Sequence, residues 1–262
     1  VSQGTLGVSS FNMVAADKGE HTISTQTVSE VGRFTFTAAA PSGAYFGEDI
    51  GTTALNTSSD IGRFYPAHFC ISSPSLTNRT DADTASGCTD GFSHLDEIFT
   101  VGVTMTAQNF GSACGAGGVT QNYTGAWSKF TTPFSENTAL PAEAGKWNFA
   151  AVNNPGVSAT DLSARITIDT TNSSGSFTNG SATLSALMDI NRAGSAPTFD
   201  AEIPFTDVRI GFNPLDTDNV GIDSTDLTIG TDTYRQLGTT QLFFGRLFAE
   251  NADGANLPEL EL

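Results

Sequence analysis

Lysine is nearly missing from this chain: it occurs only at Lys18, Lys129 and Lys146 in 262 residues. Lysine and arginine together number 11 against 28 aspartates and glutamates, a formal net charge of −17. A phosphate backbone is held by a basic face, so nucleic acid is excluded as a partner. The same balance opposes docking to an anionic membrane surface. Long hydrophobic runs are also lacking, and none reaches the roughly 18 residues that a membrane-spanning helix needs. Helical alternation of leucine, alanine, glutamate and lysine is scarce. Cysteine is limited to Cys70, Cys88 and Cys114, an odd number that allows at most one internal disulfide. Three cysteines cannot by themselves complete a four-ligand structural zinc site, and no Cys-x-x-Cys pair occurs.

What is abundant points one way. Serine and threonine together number 61, glycine 27 and phenylalanine 19. Threonine and phenylalanine suit a pleated, half-buried surface, while Gly, Asn, Asp and Ser supply turns. The composition predicts an all-β protein. At this length it accommodates two or three immunoglobulin-like antiparallel β-sandwich modules in series, divided at 1–62, 63–153 and 154–262.

The strand pattern is clearest from Ile98 to Ala107, where Phe99, Val101, Val103 and Met105 share one face and Thr100, Thr104 and Thr106 the other. Further strands are expected at Thr22–Val28, Gly32–Ala38, from Asn122 to Trp127, Asp161–Asp169, Gly175–Thr178, Ala182–Leu187 and Gln241–Glu250. Trp127 and Trp147 are the largest candidate core anchors. The final Leu257-Pro258-Glu259-Leu260-Glu261-Leu262 reads as an element cut midway, and Val1-Ser2-Gln3 as the start of a mature or trimmed chain.

A short phrase recurs as Val31-Gly32-Arg33-Phe34, Ile61-Gly62-Arg63-Phe64 and Phe244-Gly245-Arg246-Leu247. Glycine before an Arg-aromatic pair fits a strand entered through a bend, with the ring inward and the guanidinium at the rim. Pro66 cannot donate to a ladder and should end its strand. The repeats are expected to mark seams between modules.

Together with Ser29-Glu30, Asp60, Tyr65-Pro66-Ala67-His68-Phe69, Gln108-Asn109, Thr120-Gln121-Asn122-Tyr123-Thr124-Gly125 and Phe248-Ala249-Glu250-Asn251-Ala252-Asp253-Gly254, these phrases span residues 29 to 254. The set resembles the C-terminal region of MshQ-type proteins, which are associated with the mannose-sensitive haemagglutinin pilus of Gram-negative bacteria. The resemblance implies a large exported surface protein with no established enzymatic activity, of which this chain would be a piece. It implies an extracellular or cell-surface location. The partners would be other appendage subunits or neighbouring modules of a longer chain.

Two local features suggest chemistry. Asp216, Asp218, Asp223 and Asp226, with Gly221 between them, could supply hard oxygens to a calcium ion in a β-loop. Calcium is therefore the candidate cofactor, and Asp81, Asp83 and Asp90 form a weaker second set. Export implies an oxidising compartment. Closing Cys70 to Cys88 would tether the polar stretch Ser72–Gly87; that pairing is preferred, with Cys88–Cys114 or three free thiols as alternatives.

Catalysis has little support. His21, His68 and His94 stand in no metal-ligand spacing, and neither a Gly-x-Ser-x-Gly elbow nor a phosphate-cradling Gly-x-x-x-x-Gly-Lys motif occurs. Glu48-Asp49 and Asp96-Glu97 read as solvated surface acids. Tyr45, Phe46, Trp127 and Trp147 are the aromatics that could stack on a glycan. The expected function is a structural and adhesive component of a bacterial surface appendage, with a glycan-binding module as the alternative and an extracellular polysaccharide-active enzyme as the third reading.

Overall fold

Period-two alternation of large apolar and hydroxyl side chains builds the longest strands and directs their apolar faces together. The computed structural model describes residues 2–12, 14–18, 20–37, 44–45, 48–49, 57–78, 91–110, 114, 118–130, 136–156, 158–195, 198–199 and 202–244. Two sheets dominate. The first runs in the order β11 (Ile166–Ile168), β13 (Ser181–Ile190), β7 (Phe99–Gln108), β5 (His68–Thr77), all antiparallel. A short strand, β12 (Phe177–Thr178), forms a hairpin with β13.

The second sheet has the order β10 (Thr160–Asp161), β9 (Trp147–Asn153), β16 (Phe205–Phe212), β18 (Asp232–Phe243), β17 (Leu227–Ile229). Two short strands join it in parallel: β6 (Phe92–His94) along β18 and β8 (Glu136–Asn137) along β9. Three small ladders stand apart. They pair β1 (Gly32–Phe34) with β4 (Ile61–Phe64), β2 (Ala44–Tyr45) with β3 (Glu48–Asp49), and β14 (Gly194–Ser195) with β15 (Thr198–Phe199). The described helices are single 3-10 turns at Ala15–Asp17, Gly125–Trp127 and Ser163–Arg165.

The inner faces of the two sheets share one core. Phe99, Val101, Val103 and Met105 of β7 meet Leu184 and Met188 of β13, Phe149 of β9, and Val208, Ile210 and Phe212 of β16. Each such side chain contributes about 1.5–3 kcal/mol by leaving water. Trp147 lies at the centre, stacked on Phe130 with ring centroids 4.3 Å apart. The outer face of the second sheet buries a smaller cluster of Ala150, Val152, Leu227, Ile229 and Tyr234, against which Leu140 packs.

All-β architecture is as expected; the modular division is corrected. Each large sheet takes strands from both sides of residue 153, so 63–153 and 154–262 are interleaved parts of one sandwich. The reason lies in β9, whose seven residues are all buried. Such a strand needs a partner on each edge, and β10 and β16 supply them from beyond the expected boundary. The division at 62 likewise falls inside β4. Asn122–Trp127 is a loop leading into a 3-10 turn rather than a strand, because Gly125 turns the backbone at φ +53°. At one edge of the first sheet, β5 is interrupted by a bulge between Ser72 and Ser75 that holds Pro74. This blunts the edge against chain-to-chain pairing.

Candidate functional site

The recurring phrases fold onto one another. Gly32 faces Phe64 and Phe34 faces Ile61 in the β1–β4 ladder, and the two phenylalanine rings lie 5.8 Å apart. The first two repeats therefore pair within one body instead of marking a seam between modules. Their glycines have φ of +141° and +94°, a region that side chains disfavour, which explains glycine at the bend. Pro66 sits between the end of β4 and the start of β5, as a residue without a donor should.

The neighbouring phrases dock here too. The buried Glu30 carboxylate accepts from the backbone N–H groups of Gln121 and Asn122 at 3.1 and 3.0 Å. Asn109 donates to the Ser29 carbonyl at 3.3 Å, and Asn122 exchanges two hydrogen bonds with the backbone of Ser2. The N-terminal segment is thus strapped to the end of the sandwich by residues of three quoted phrases. The fourth phrase lies beyond the described residues except for Phe244, whose ring Arg192 covers at 5.3 Å.

Asp216 is the buried centre of the strap's far side. Its carboxylate accepts from the Tyr123 hydroxyl at 2.8 Å and from the backbone of Asp218 and Val220 at 2.8 and 2.9 Å. Burial raises its pKa despite these bonds. Burial and the Asp216 charge together push the Tyr123 hydroxyl far upward, so it stays protonated and donates.

The other aspartates of the expected calcium loop point elsewhere. Asp218 forms an ion pair with Arg63, and Asp226 pairs with Arg235 at 2.9 Å. Asp223 lies against Cys114. Asp216, Asp218 and Asp226 are thus each engaged by a different side chain, Tyr123, Arg63 and Arg235, while Asp223 faces the disulfide sulfur of Cys114. Asp81, Asp83 and Asp90 fall outside the described residues.

The disulfide expectation is corrected. Cys70 is bonded to Cys114, with Cα atoms 5.4 Å apart, whereas Cys88 falls outside the described residues. Sequence spacing favoured the nearer cysteine, but antiparallel pairing of β5 with β7 brings the loop after β7 back beside Cys70. Bonding of Asn109 to the carbonyl of Gly118 closes that loop at its neck. Non-reducing peptide mapping should therefore yield a Cys70–Cys114 cross-link; a cross-link containing Cys88 would overturn the assignment.

Cys70, Cys114, His68 and Asp223 form the one group of possible metal-ligating side chains among the described residues, with all ligand atoms within 4.8 Å of one another. The reading of the sequence missed it, since its members come from three distant stretches. The His68-x-Cys70 spacing, which puts both side chains on one strand face, was the available signal.

The remaining candidates scatter. His21 stacks on Phe11, His94 bonds Glu97 at 2.9 Å, and Asp96 pairs with Arg192. Trp147 is a core residue, while Trp127 is half-buried and lines a groove of about 380 Å³ with Arg33, Gln121, Thr124 and Asn179. A second groove of about 290 Å³ is bordered by the exposed rings of Tyr65 and Phe110, 59% and 88% exposed. The side chains of Tyr45, Phe46, Glu48 and Asp49 lie outside the described residues.

Two largely antiparallel sheets over one core, strapped at one end and cross-linked by a disulfide, define an all-β sandwich module. The family described as DUF6701, third domain, matches residues 30–241, and the chain belongs to that family. No curated protein and no solved structure matches it.

Proposed function

We propose that this module is an exported structural and adhesive component of a bacterial surface appendage, of the kind its resemblance to MshQ-type proteins implies. The observation that carries the reading is the groove beside Tyr65 and Phe110. It is lined by Pro66, Ala67, Val28 and Phe64, so it offers an apolar contact to a neighbouring module or subunit. The disulfide supports export, since such bonds persist in oxidising compartments. The sandwich is immunoglobulin-like in the loose sense of two largely antiparallel sheets over one core.

The test uses the full-length surface protein in its own cells. An impermeant label should reach the module on intact cells, and a Tyr65→Ser/Phe110→Ser variant should be exported but shed from the appendage. Labelling only after lysis, or retention equal to the wild type, would refute the reading.

The Trp127 groove favours a second reading, direct glycan binding, because an indole beside amide and guanidinium groups can stack on and hydrogen-bond a sugar. On a glycan array this reading expects a signal that Trp127→Ala removes.

A further inference from the structure

His68 and Cys70 lie two residues apart on one face of β5, because Phe69 between them is driven into the core with no exposed surface. The backbone of Phe69 fixes the third member: its N–H donates to the Gly221 carbonyl at 2.9 Å, and its carbonyl accepts from the Asp223 N–H at 3.1 Å. Asp223 is thereby pinned beside Cys70. Cys114 arrives on the loop after β7, whose far end is held by the Gln108–Val119 bridge.

We propose that reduction of the Cys70–Cys114 disulfide opens a tetrahedral site for a thiophilic divalent cation of the zinc class, with His68, Cys70, Cys114 and Asp223 as its four ligands. Ligands about 2.0–2.3 Å from a tetrahedral zinc ion place their donor atoms roughly 3.3–3.8 Å apart. A spread within 4.8 Å needs only small side-chain adjustments to reach that geometry.

A second observation concerns the contact between sulfur and carboxylate. Cys114 Sγ lies 2.8 Å from Asp223 Oδ2. A disulfide sulfur carries no proton, so this approach sets two electron-rich atoms against each other. A thiol proton or a shared cation turns it into attraction. The donor set of two thiolates, one imidazole and one carboxylate suits zinc rather than calcium or magnesium, which take oxygen ligands. Cys114 and Asp223 are exposed, so a cation can reach the site from solvent.

The chemistry balances simply. An external dithiol gives up its two S–H protons and two electrons, becoming a disulfide, while Cys70 and Cys114 become thiols. The cation then displaces those two protons as it binds. The proposal is independent of the appendage reading, since it rests on these four side chains alone.

The test is metal titration of the full chain in a Cys88→Ser background. A phosphine reductant is used, which takes up oxygen from water and leaves two thiols. Reduced protein should bind one equivalent of zinc at least 100-fold more tightly than oxidised protein. Cobalt substituted for zinc should show thiolate-to-metal charge-transfer bands that Cys70→Ser and Cys114→Ser each weaken. His68→Ala and Asp223→Ala should each weaken zinc binding at least tenfold. Equal binding before and after reduction, or affinity untouched by His68→Ala and Asp223→Ala, would overturn the proposal. Should the reduced chain unfold, refolding on adding zinc supports the site, and failure to refold refutes it.

Discussion

Replacing Asp216 with alanine is expected to destabilise the fold by about 4 kcal/mol, because it strands two buried donors and one half-buried donor at a cost of roughly 1–3 kcal/mol each, less than additively. Those donors are the Tyr123 hydroxyl and the backbone N–H groups of Asp218 and Val220. Asparagine tests the cause. Its oxygen can still accept from both backbone groups, which leaves the Tyr123 hydroxyl as the one donor without its partner. Asp216→Asn should therefore cost about 1–3 kcal/mol near neutral pH, less than the alanine variant.

The pH dependence follows from the direction of the shift. Burial raises the Asp216 pKa, so the folded state holds this proton more tightly than the unfolded state does. The stability linked to that proton is fully present below the unfolded value of about 3.9 and is lost as pH rises through the higher folded value. Asp216→Asn removes this component. Relative to the variant, the wild type should gain stability as pH falls through that window. Chemical denaturation of the wild type and both variants across pH would check this. An alanine variant within about 1 kcal/mol of the wild type would mean the buried hub contributes little.

Much of the fold could be read from the sequence where one face of a strand is apolar and the other hydroxylated. The β7 strand is the best instance: Phe99, Val101, Val103 and Met105 are buried as their alternation requires. Strand β9 was harder. Its Trp147-Asn148-Phe149-Ala150-Ala151-Val152-Asn153 does not alternate, since both faces are covered, and a two-sided strand announces neither its period nor its partners. Missing it is what allowed a module boundary to be placed at its end.

The recurring Gly-Arg-Phe phrases were legible as bends into strands but not as partners of each other. Pairing is a long-range property that local spacing does not encode. The partners of the aspartates were hidden for a related reason. Spacing showed that Asp216, Asp218, Asp223 and Asp226 are close along the chain, whereas their partners, Tyr123, Arg63, Cys114 and Arg235, come from other stretches. The cysteine assignment erred in the same direction by choosing the nearer residue. The sheet register, not the chain distance, decides which thiols meet.

The hairpin that joins β12 to β13 carries the second large effect. Its two central residues, Asn179 and Gly180, have φ of +50° and +75°, the signs of a type I′ turn, and Asn-Gly between strands is its sequence signal. Gly180 is also pressed against the loop that receives the N-terminal strap. A β-carbon there would run into the Thr120 carbonyl oxygen and lie 2.7 Å from Val119 Cγ1. The Gly180 carbonyl meanwhile accepts from the Ala107 N–H at 2.8 Å, so the turn cannot retreat without breaking that bond.

Gly180→Ala combines backbone strain of about 1–3 kcal/mol with overpacking of about 1–3 kcal/mol, and the expected loss is about 4 kcal/mol. For a chain of this size that corresponds to a fall in melting temperature of roughly 8–16 °C. Because Thr120 leads directly to the amides that hold Glu30, displacing it should also loosen residues 2–34. Limited proteolysis should cut the variant in that segment before the sandwich itself is attacked. Asn179→Ala shares the turn and the positive φ; if its cost is only about 1–2 kcal/mol, the close packing against Thr120 is what makes Gly180 indispensable. A Gly180→Ala melting temperature within about 2 °C of the wild type would show that the turn has room to shift.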